Sequence, residues 1–384
     1  MNYIVISPSF PENFIEFSVS LKKEGINVLG IGDTPYDLLP YKLKEALTEY
    51  YRVDTMENYG SILRAVAFFT FKYGKIDRLE SHNEHWLELD AALRTDFNIF
   101  GFKSEDMKKL KGKDAMKELF RKAEVPYIRG RIIKTREEAE ALIKETGYPL
   151  VAKPDSGVGA ANTYKIKNAK DLDRFFNNKP VVDYIMEEFI EGKIVTFDGL
   201  TDTNGDIVFI NSFYFENAIM DLVNDGLDNI YYTDRDIPSD IVEYGTRVIK
   251  AAGLKERFFH FEFFRKPDGN LVSLELNIRP PGGQSTDIFD YEYDFSVYDI
   301  YAEIVKQGRY QGEHQRKYYV AYAGLKNHTP RVHTKEECVN YLGNRLIEMK
   351  ETHHAFAKVL GDYYYIFRCE EKKDLLDALR FVSE

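Results

Sequence analysis

The stretch FHFEFFRKPDGNLVSLELNIRPPGG, from Phe259 to Gly283, constrains this chain more than any other. Two runs rich in aromatic and aliphatic residues flank Pro267-Asp268-Gly269, a turn signal, and together they predict an antiparallel hairpin. Side chains alternate across a strand, so Glu275 and Asn277 face one side, and Arg279, two residues further on, faces it as well. Glu262 lies on the other strand. Three oxygen donors on one face suit a hard Mg²⁺ ion, which keeps phosphate and water among its ligands. An arginine beside them can clamp a phosphate through two parallel hydrogen bonds. An edge hairpin with its polar residues turned to solvent is the plainer alternative. The apolar flanks and the tight Glu-x-Asn-x-Arg spacing argue against it.

Three weaker pieces precede the hairpin. Lys153 ends a predicted strand, Leu150 to Lys153, and is followed by DSGVGAANT, a loop of small residues. Glycines let backbone amides approach a phosphate closely, and the lysine adds a point charge. The lysine precedes the glycines and no GK[ST] closes the motif, so this is not a P-loop. Lys113 opens a helical pattern that Val125-Pro126 breaks. Ile185 to Gly192, IMEEFIEG, is an extended apolar run with Glu187 and Glu188 in its middle; it reads as a hinge where backbone groups meet an adenine edge and an acid accepts from ribose hydroxyls. Taken singly, these three are a surface turn, a charged helix and a pair of solvent-facing acids.

In this order and spacing, the four pieces resemble the ATP-grasp superfamily, in its carboxylate–amine (amino-acid) ligase type, with an organisation like that of carbamoyl-phosphate synthase and biotin carboxylase. The resemblance covers roughly Met1 to Lys306. It implies an ATP-grasp fold of α/β and α+β parts, with ATP and Mg²⁺ (or Mn²⁺) as cofactors. It implies ATP contacts from Lys113, Lys153, Ser156, Gly157, Gly159, Glu187, Glu188, Ile190 and Glu191. It implies metal ligation by Glu262, Glu275 and Asn277, and catalysis by Arg279 and Lys153. Two departures stand out: Glu124 replaces the usual glycine before Val125-Pro126, and Lys193 follows the hinge glycine where many members place a ribose-binding Glu. The segment Glu80 to Gly101 resembles the part of the preceding domain that lines the cleft, which makes His82 and Glu84 substrate candidates. Gly282 and Gly283, in the turn after Arg279, are candidates for binding the substrate carboxylate.

The activity implied is activation of a carboxylate as an acyl phosphate, which an amine then attacks. Two rivals stay open: a bicarbonate-activating carboxylase or carbamoyl-phosphate-like enzyme, and an ATP-binding module without turnover. The motif occurs once, which excludes a full carbamoyl-phosphate synthase.

The rest of the chain sets the frame. Residues 1–105 alternate strand and helix, the pattern of a doubly wound parallel sheet, and no GxGxxG follows the first strand. Residues 106–185 read as a small lobe, 186–310 as a large lobe carrying the metal site, and 311–384 as an α+β extension of it. Net charge is −11, with no basic face for nucleic acid. No apolar stretch is long enough for a membrane span. The N-terminus reads as a strand rather than a signal peptide. The two cysteines, Cys338 and Cys369, make no metal spacing, so a cytoplasmic setting is expected. The expected partners are a small-molecule carboxylate and amine, with a homodimer common in the superfamily.

Overall fold

Near-continuous apolar runs at the N-terminus demand a sheet covered on both faces. The computed structural model, which describes residues 1–155, 162–217, 222 and 225–384, contains that sheet. Strands β1 (Asn2–Ile6), β2 (Asn27–Gly32), β3 (Glu49–Arg52) and β4 (Arg78–Glu80) pair in parallel in the order β3-β2-β1-β4. Alternation divides their side chains. Tyr3, Val5 and Val28 pack with Phe17 and Leu21 of the helix Ile15–Lys23. Ile4, Ile6, Leu29 and Ile31 pack with Ile62, Val66 and Phe69 of the helix Tyr59–Tyr73.

The second sheet is small and antiparallel. Strands β5 (Gly130–Ile133), β6 (Leu150–Pro154), β7 (Tyr164–Ile166) and β8 (Tyr184–Glu188) take the order β5-β8-β6-β7. Helices Arg136–Thr146 and Ala169–Asn178 share its core through Leu142, Leu172 and Phe175. The first of these starts at a capping box, with Thr135 and Glu138 satisfying each other's backbone N–H groups.

The third sheet has nine antiparallel strands: β9 (Lys193–Thr201), β10 (Ile207–Asn211), β11 (Phe213–Phe215), β12 (Asn229–Thr233), β13 (Phe258–Arg265), β14 (Leu271–Asn277), β15 (Tyr319–Leu325), β16 (Leu346–Glu351) and β17 (Tyr363–Cys369). Their order is β14-β13-β9-β11-β12-β15-β17-β16, with β10 also paired to β9. Residues 311–384 thus add three strands to this sheet, and Leu375 and Leu379 of the helix Lys372–Ser383 pack under them.

The small lobe differs from its expected extent of 106–185. Helices Ser104–Leu110 and Lys113–Lys122 pack on the large sheet: Met107, Met116, Leu119 and Phe120 join one core with Val195, Phe197 and Phe261. The apolar stripe of the second helix needed a broad apolar surface, and the large sheet supplies it. The boundary drawn after residue 185 falls inside β8; the chain changes sheets over residues 189–192. Among the described residues, no helix is long and apolar enough to cross a membrane.

Buried charge joins the first sheet to the large one. Glu80, at the end of β4, accepts from Arg94 and from Arg257, both at 2.5 Å. Arg78 meets Glu256 at 2.6 and 2.9 Å. Beside this network lies His82, which the sequence placed against substrate. The structure corrects that reading. His82 is buried, its ring stacked 3.9 Å from Phe17 and edge-on to Phe258 and Tyr301. An aromatic interface has recruited it.

Burial, with Arg257 and Arg94 nearby, pushes the His82 pKa down from 6.5 to about 3, against the opposing pull of Glu80. The unfolded chain therefore binds a proton that the folded chain refuses. The stability that the neutral ring provides is complete above pH 6.5 and is lost as pH falls from there toward about 3. The substitution His82→Asn keeps a residue that tolerates the local φ of +58° and removes the titration. Melting temperature followed from about pH 8 down to about pH 4 should fall less steeply in the variant than in the parent.

Candidate active site

The hairpin register decides which polar groups share a face. In the β13–β14 ladder, Glu262 stands opposite Glu275 and His260 opposite Asn277. The register shifts just beyond, between Glu262 and Phe263, so the carboxylate pair sits beside a bulge. Among the described residues, no group of three or more His, Cys, Asp or Glu is spaced to hold a metal. The donor set here is two carboxylates and one amide. Hard oxygens that leave coordination positions open fit Mg²⁺.

Two residues the sequence reading passed over hold Glu262. His260 Nε2 lies 3.1 Å from Glu262 Oε1, and its Nδ1 lies 2.5 Å from Asp198 on β9. Asp198 also accepts from Thr196 Oγ1. Burial disfavours the charged ring, but the two carboxylates outweigh it and raise the His260 pKa to about 9. The imidazolium in turn keeps Glu262 below its ordinary pKa despite burial. One Glu262 oxygen is thus occupied and the other is left for a cation. Glu275 has no such donor, and burial raises its pKa although Lys113 and Lys153 oppose the shift.

The opposite wall carries the lysines. Lys113, the first residue of its helix, has its Nζ 4.0 Å from Glu275 Oε1 and donates to the Asp155 carbonyl at 3.4 Å. Lys153, on β6, lies 2.7 Å from Glu187 Oε2. Burial alone would lower the Lys153 pKa, but Glu187, Glu275 and Glu262 together raise it. Ser156, Gly157 and Gly159 lie outside the described residues.

Both hinge acids of the sequence reading are already engaged. Glu187 is buried between Lys153 and Lys117, the latter at 2.6 Å. Glu188 accepts the Arg129 N–H at 2.8 Å and pairs with its guanidinium. Neither acid is left to accept from a ribose, which corrects that part of the expectation. Glu191 is exposed and takes no hydrogen bond or ion pair among the described residues, and Ile190 is half-buried. Gly192 is sterically required: a Cβ there would come within 2.8 Å of the Arg265 carbonyl oxygen.

Arg279 closes the row. Its Nε donates to Glu84 at 2.9 Å and its Nη1 to the Pro280 carbonyl at 2.8 Å. Glu84 therefore reaches the site while its neighbour His82 does not. Glu84, Lys113, Glu275 and Asn277 line one crevice. In the turn that follows, Gly283 has φ +65° and its carbonyl accepts from Asn13 at 3.2 Å; the helix Ser285–Tyr293 begins directly afterwards.

Residues 146–287 match the family model described as an ATP-grasp domain. The chain carries an ATP-grasp domain. It is 30% identical over 178 residues to the 2-oxoglutarate carboxylase small subunit of Hydrogenobacter thermophilus, covering 42% of this chain and 37% of that protein. It is 22% identical over 248 residues to the L-arginine-specific L-amino acid ligase of Bacillus subtilis, covering 62% and 60%. Among solved structures, an L-amino acid ligase from Bacillus licheniformis superposes with a TM-score of 0.75 at 16% identity, covering 99% of this chain and 96% of that one. The overall fold is thus the ATP-grasp fold with a parallel sheet before it. The chain spans between about a third and three fifths of the length of the two curated relatives.

The ATP-grasp match runs from residue 146 and leaves out Lys113 and Lys117. Lys117 lay in plain view in GKDAMKELF, one helical turn after Lys113, and reads there as one more solvated lysine. Its ion pair with Glu187 crosses from the helix on the large sheet to the small sheet, and the Ile128 carbonyl accepts its second bond at 2.7 Å. Removing one partner of a buried pair costs about 3–5 kcal/mol. We expect Lys117→Met to lower stability toward the bottom of that range, since Lys153 still neutralises Glu187, whereas Glu187→Gln strands two lysines and costs more. Urea denaturation of the two variants against the parent checks the order.

Proposed function

We propose that this chain is an ATP- and Mg²⁺-dependent ligase that activates a carboxylate as an acyl phosphate and joins it to an amine, with amino acids or small peptides as substrates. One observation carries the reading: Lys113, from the helix packed on the large sheet, and Lys153, from the small sheet, converge on the row of Glu262, Glu275, Asn277 and Arg279. A site that only bound nucleotide would have little use for this whole set.

Glu262, Glu275 and Asn277 would hold Mg²⁺, with Mn²⁺ as a substitute. Lys113 and Lys153 would bind phosphates, together with the backbone at Ser156, Gly157 and Gly159. The backbone at Glu187, Glu188 and Ile190 would meet the adenine edge, and Glu191 the ribose. Bound Mg-ATP supplies the phosphoryl group that turns a carboxylate into an electrophile. The chain's own residues position the reactants and stabilise charge. Arg279, aimed by Glu84, steadies the charge that develops at the activated carboxyl group. The amides of Gly282 and Gly283 would receive a substrate carboxylate ahead of the helix Ser285–Tyr293. Two buried free cysteines suit a reducing, cytoplasmic setting, and a homodimer is a natural assembly.

Bicarbonate as the activated carboxylate is a second reading, favoured by the likeness to the 2-oxoglutarate carboxylase subunit. One assay separates the two: phosphate release from Mg-ATP with paired amino acids and amines, and with bicarbonate. The ligase reading expects stimulation by an amino acid–amine pair, a loss of about 10²–10³-fold in Arg279→Ala, and none left in Glu275→Ala. Release with bicarbonate alone selects the second reading. ATP binding with no release under any condition overturns both.

A further inference from the structure

A free strand edge in the large sheet opens a second cleft. Two short strands share the outer side of β9: β11 pairs at Val195, and β10 pairs from Asp198 to Thr201. Of these two, only β11 is continued outward, by β12, which ends at Thr233 opposite Phe213 and pairs on its other side with β15. The chain then leaves through Arg235 and Asp236 into the helix Ser239–Ala252, so the far edge of β10 has no strand partner among the described residues. The segment 309–318, which has no regular secondary structure, brings His314, Gln315 and Arg316 to that edge, and the His314 ring hydrogen-bonds the Val208 backbone. Between them lies a cleft of about 810 Å³, within the range of small-molecule sites. Ile207, Phe209, Val242 and Tyr293 form its apolar walls, and Arg235, Lys250 and Arg316 bring cations to it.

The polar groups there are arranged but unfinished. Arg316 Nη1 and His314 Nδ1 are both sealed from water and have no hydrogen-bond partner. A buried donor without an acceptor costs about 1–3 kcal/mol, more when charged, and Arg316, half-buried on the cleft wall, carries that unmet demand beside the opening. The buried Glu292 feels the Arg316 charge without forming an ion pair with it; one of its oxygens accepts from Asn211 and the other, Oε1, is also sealed from water without a partner. Arg235 is fixed in direction, stacked 4.8 Å from the Tyr319 ring with one nitrogen on the Lys317 carbonyl. Lys250 is exposed and makes no ion pair among the described residues. Of the two carboxylates on the rim, Asp236 accepts from Tyr319 and Asp206 is unpaired. This is a locally cationic cleft on a chain of net charge −11.

We propose that this cleft binds a small organic carboxylate, its anion held by Arg316, Arg235 and Lys250 and its carbon body lying along Ile207, Phe209 and Val242. A planar carboxylate matches the guanidinium fork, and the apolar walls need a carbon body that inorganic phosphate lacks. The site is separate from the ATP-grasp cleft. Gly245 of the Ser239–Ala252 helix lies against Phe197, while Thr196 and Asp198, on either side of Phe197, point to the other face with His260 and Glu262. β9 runs beneath both sites.

Calorimetric titration of the full chain with hexanoate tests the proposal, with hexanol and inorganic phosphate as comparators, each with and without Mg-ATP. We expect saturable hexanoate binding that persists with Mg-ATP, exceeds that of hexanol and phosphate, and weakens about tenfold or more in Arg316→Ala and in Lys250→Glu. Lys250 is solvent-facing, so that variant should fold and bind ATP like the parent. The proposal fails if hexanoate does not bind, if hexanol or phosphate binds as well, if Mg-ATP displaces it, or if Lys250→Glu binds it unchanged.

Discussion

The register of β13 against β14 is the constraint on which the site depends. With Glu262 opposite Glu275, and His260 opposite Asn277, four polar side chains share one face of a sheet otherwise packed with phenylalanine. A slip of one strand by one residue would turn its two polar side chains to the opposite face, where the helix Lys113–Lys122 packs, and break up the set. The bulge after Glu262 and the Pro267-Asp268-Gly269 turn pin that register from one side. On the other side, β9 pairs with β13 through eight successive residues, from Phe258 opposite Leu200 to Arg265 opposite Lys193. Asp198 on β9 then fixes His260, and His260 fixes Glu262. The face proposed to hold the metal is thus held by three strands, although only two carry the proposed ligands.

Burial of charge follows one rule on both sides of the molecule. An isolated carboxylate in the interior costs too much to survive, and two of the deep acids are given two cations each. Glu187 has Lys117 and Lys153; Glu80 has Arg94 and Arg257. In both cases the partners come from different structural layers, so each acid works as a fastener: Glu187 between the small sheet and the helix on the large sheet, Glu80 between the N-terminal domain and the start of β13. The same need explains why Lys153 stays charged despite burial, as the phosphate-binding role proposed for it requires.

Much of this was legible in the sequence because it is local. Strand alternation is enough to put Glu275, Asn277 and Arg279 on one side, and a lysine at a strand end before glycines is visible as a string. Partners distant in the chain were not legible. Lys117 and Glu187 are 70 residues apart, Glu84 and Arg279 are 195 apart, and His260 and Asp198 are 62 apart. His260 lies inside the hairpin motif, two residues before Glu262; alternation alone puts it on the same face as Glu262, and that is the signal that could have found it. His82 and Glu84 part ways for one reason. A residue with φ +58° lies between β4 and the short helical turn at Glu84–Trp86, so two residues close in sequence leave in different directions, one into the Phe17–Tyr301 interface and one toward Arg279.

The departure from family pattern at Glu124 carries a physical cost that the structure makes concrete. Its φ is +54°, in the left-handed region that glycine occupies without penalty. A glutamate there pays about 1–2 kcal/mol for its Cβ. Its ion pair with Arg247 spans 3.5 Å and is largely exposed, so it returns only a fraction of that. What holds the turn is its surroundings: Val125 is buried and its N–H reaches back to the Phe120 carbonyl, Pro126 accepts from Ser273 on β14, and Lys117 donates to the Ile128 carbonyl. The turn is over-determined from both ends, and so it tolerates the wrong residue at its centre. That also explains why a substitution at the most recognisable point of the helix-to-strand turn leaves Lys113 in place. The lysine is positioned by the packing of Met116, Leu119 and Phe120 on the large sheet, and the turn's glycine is only one way of ending the helix that packing has already docked.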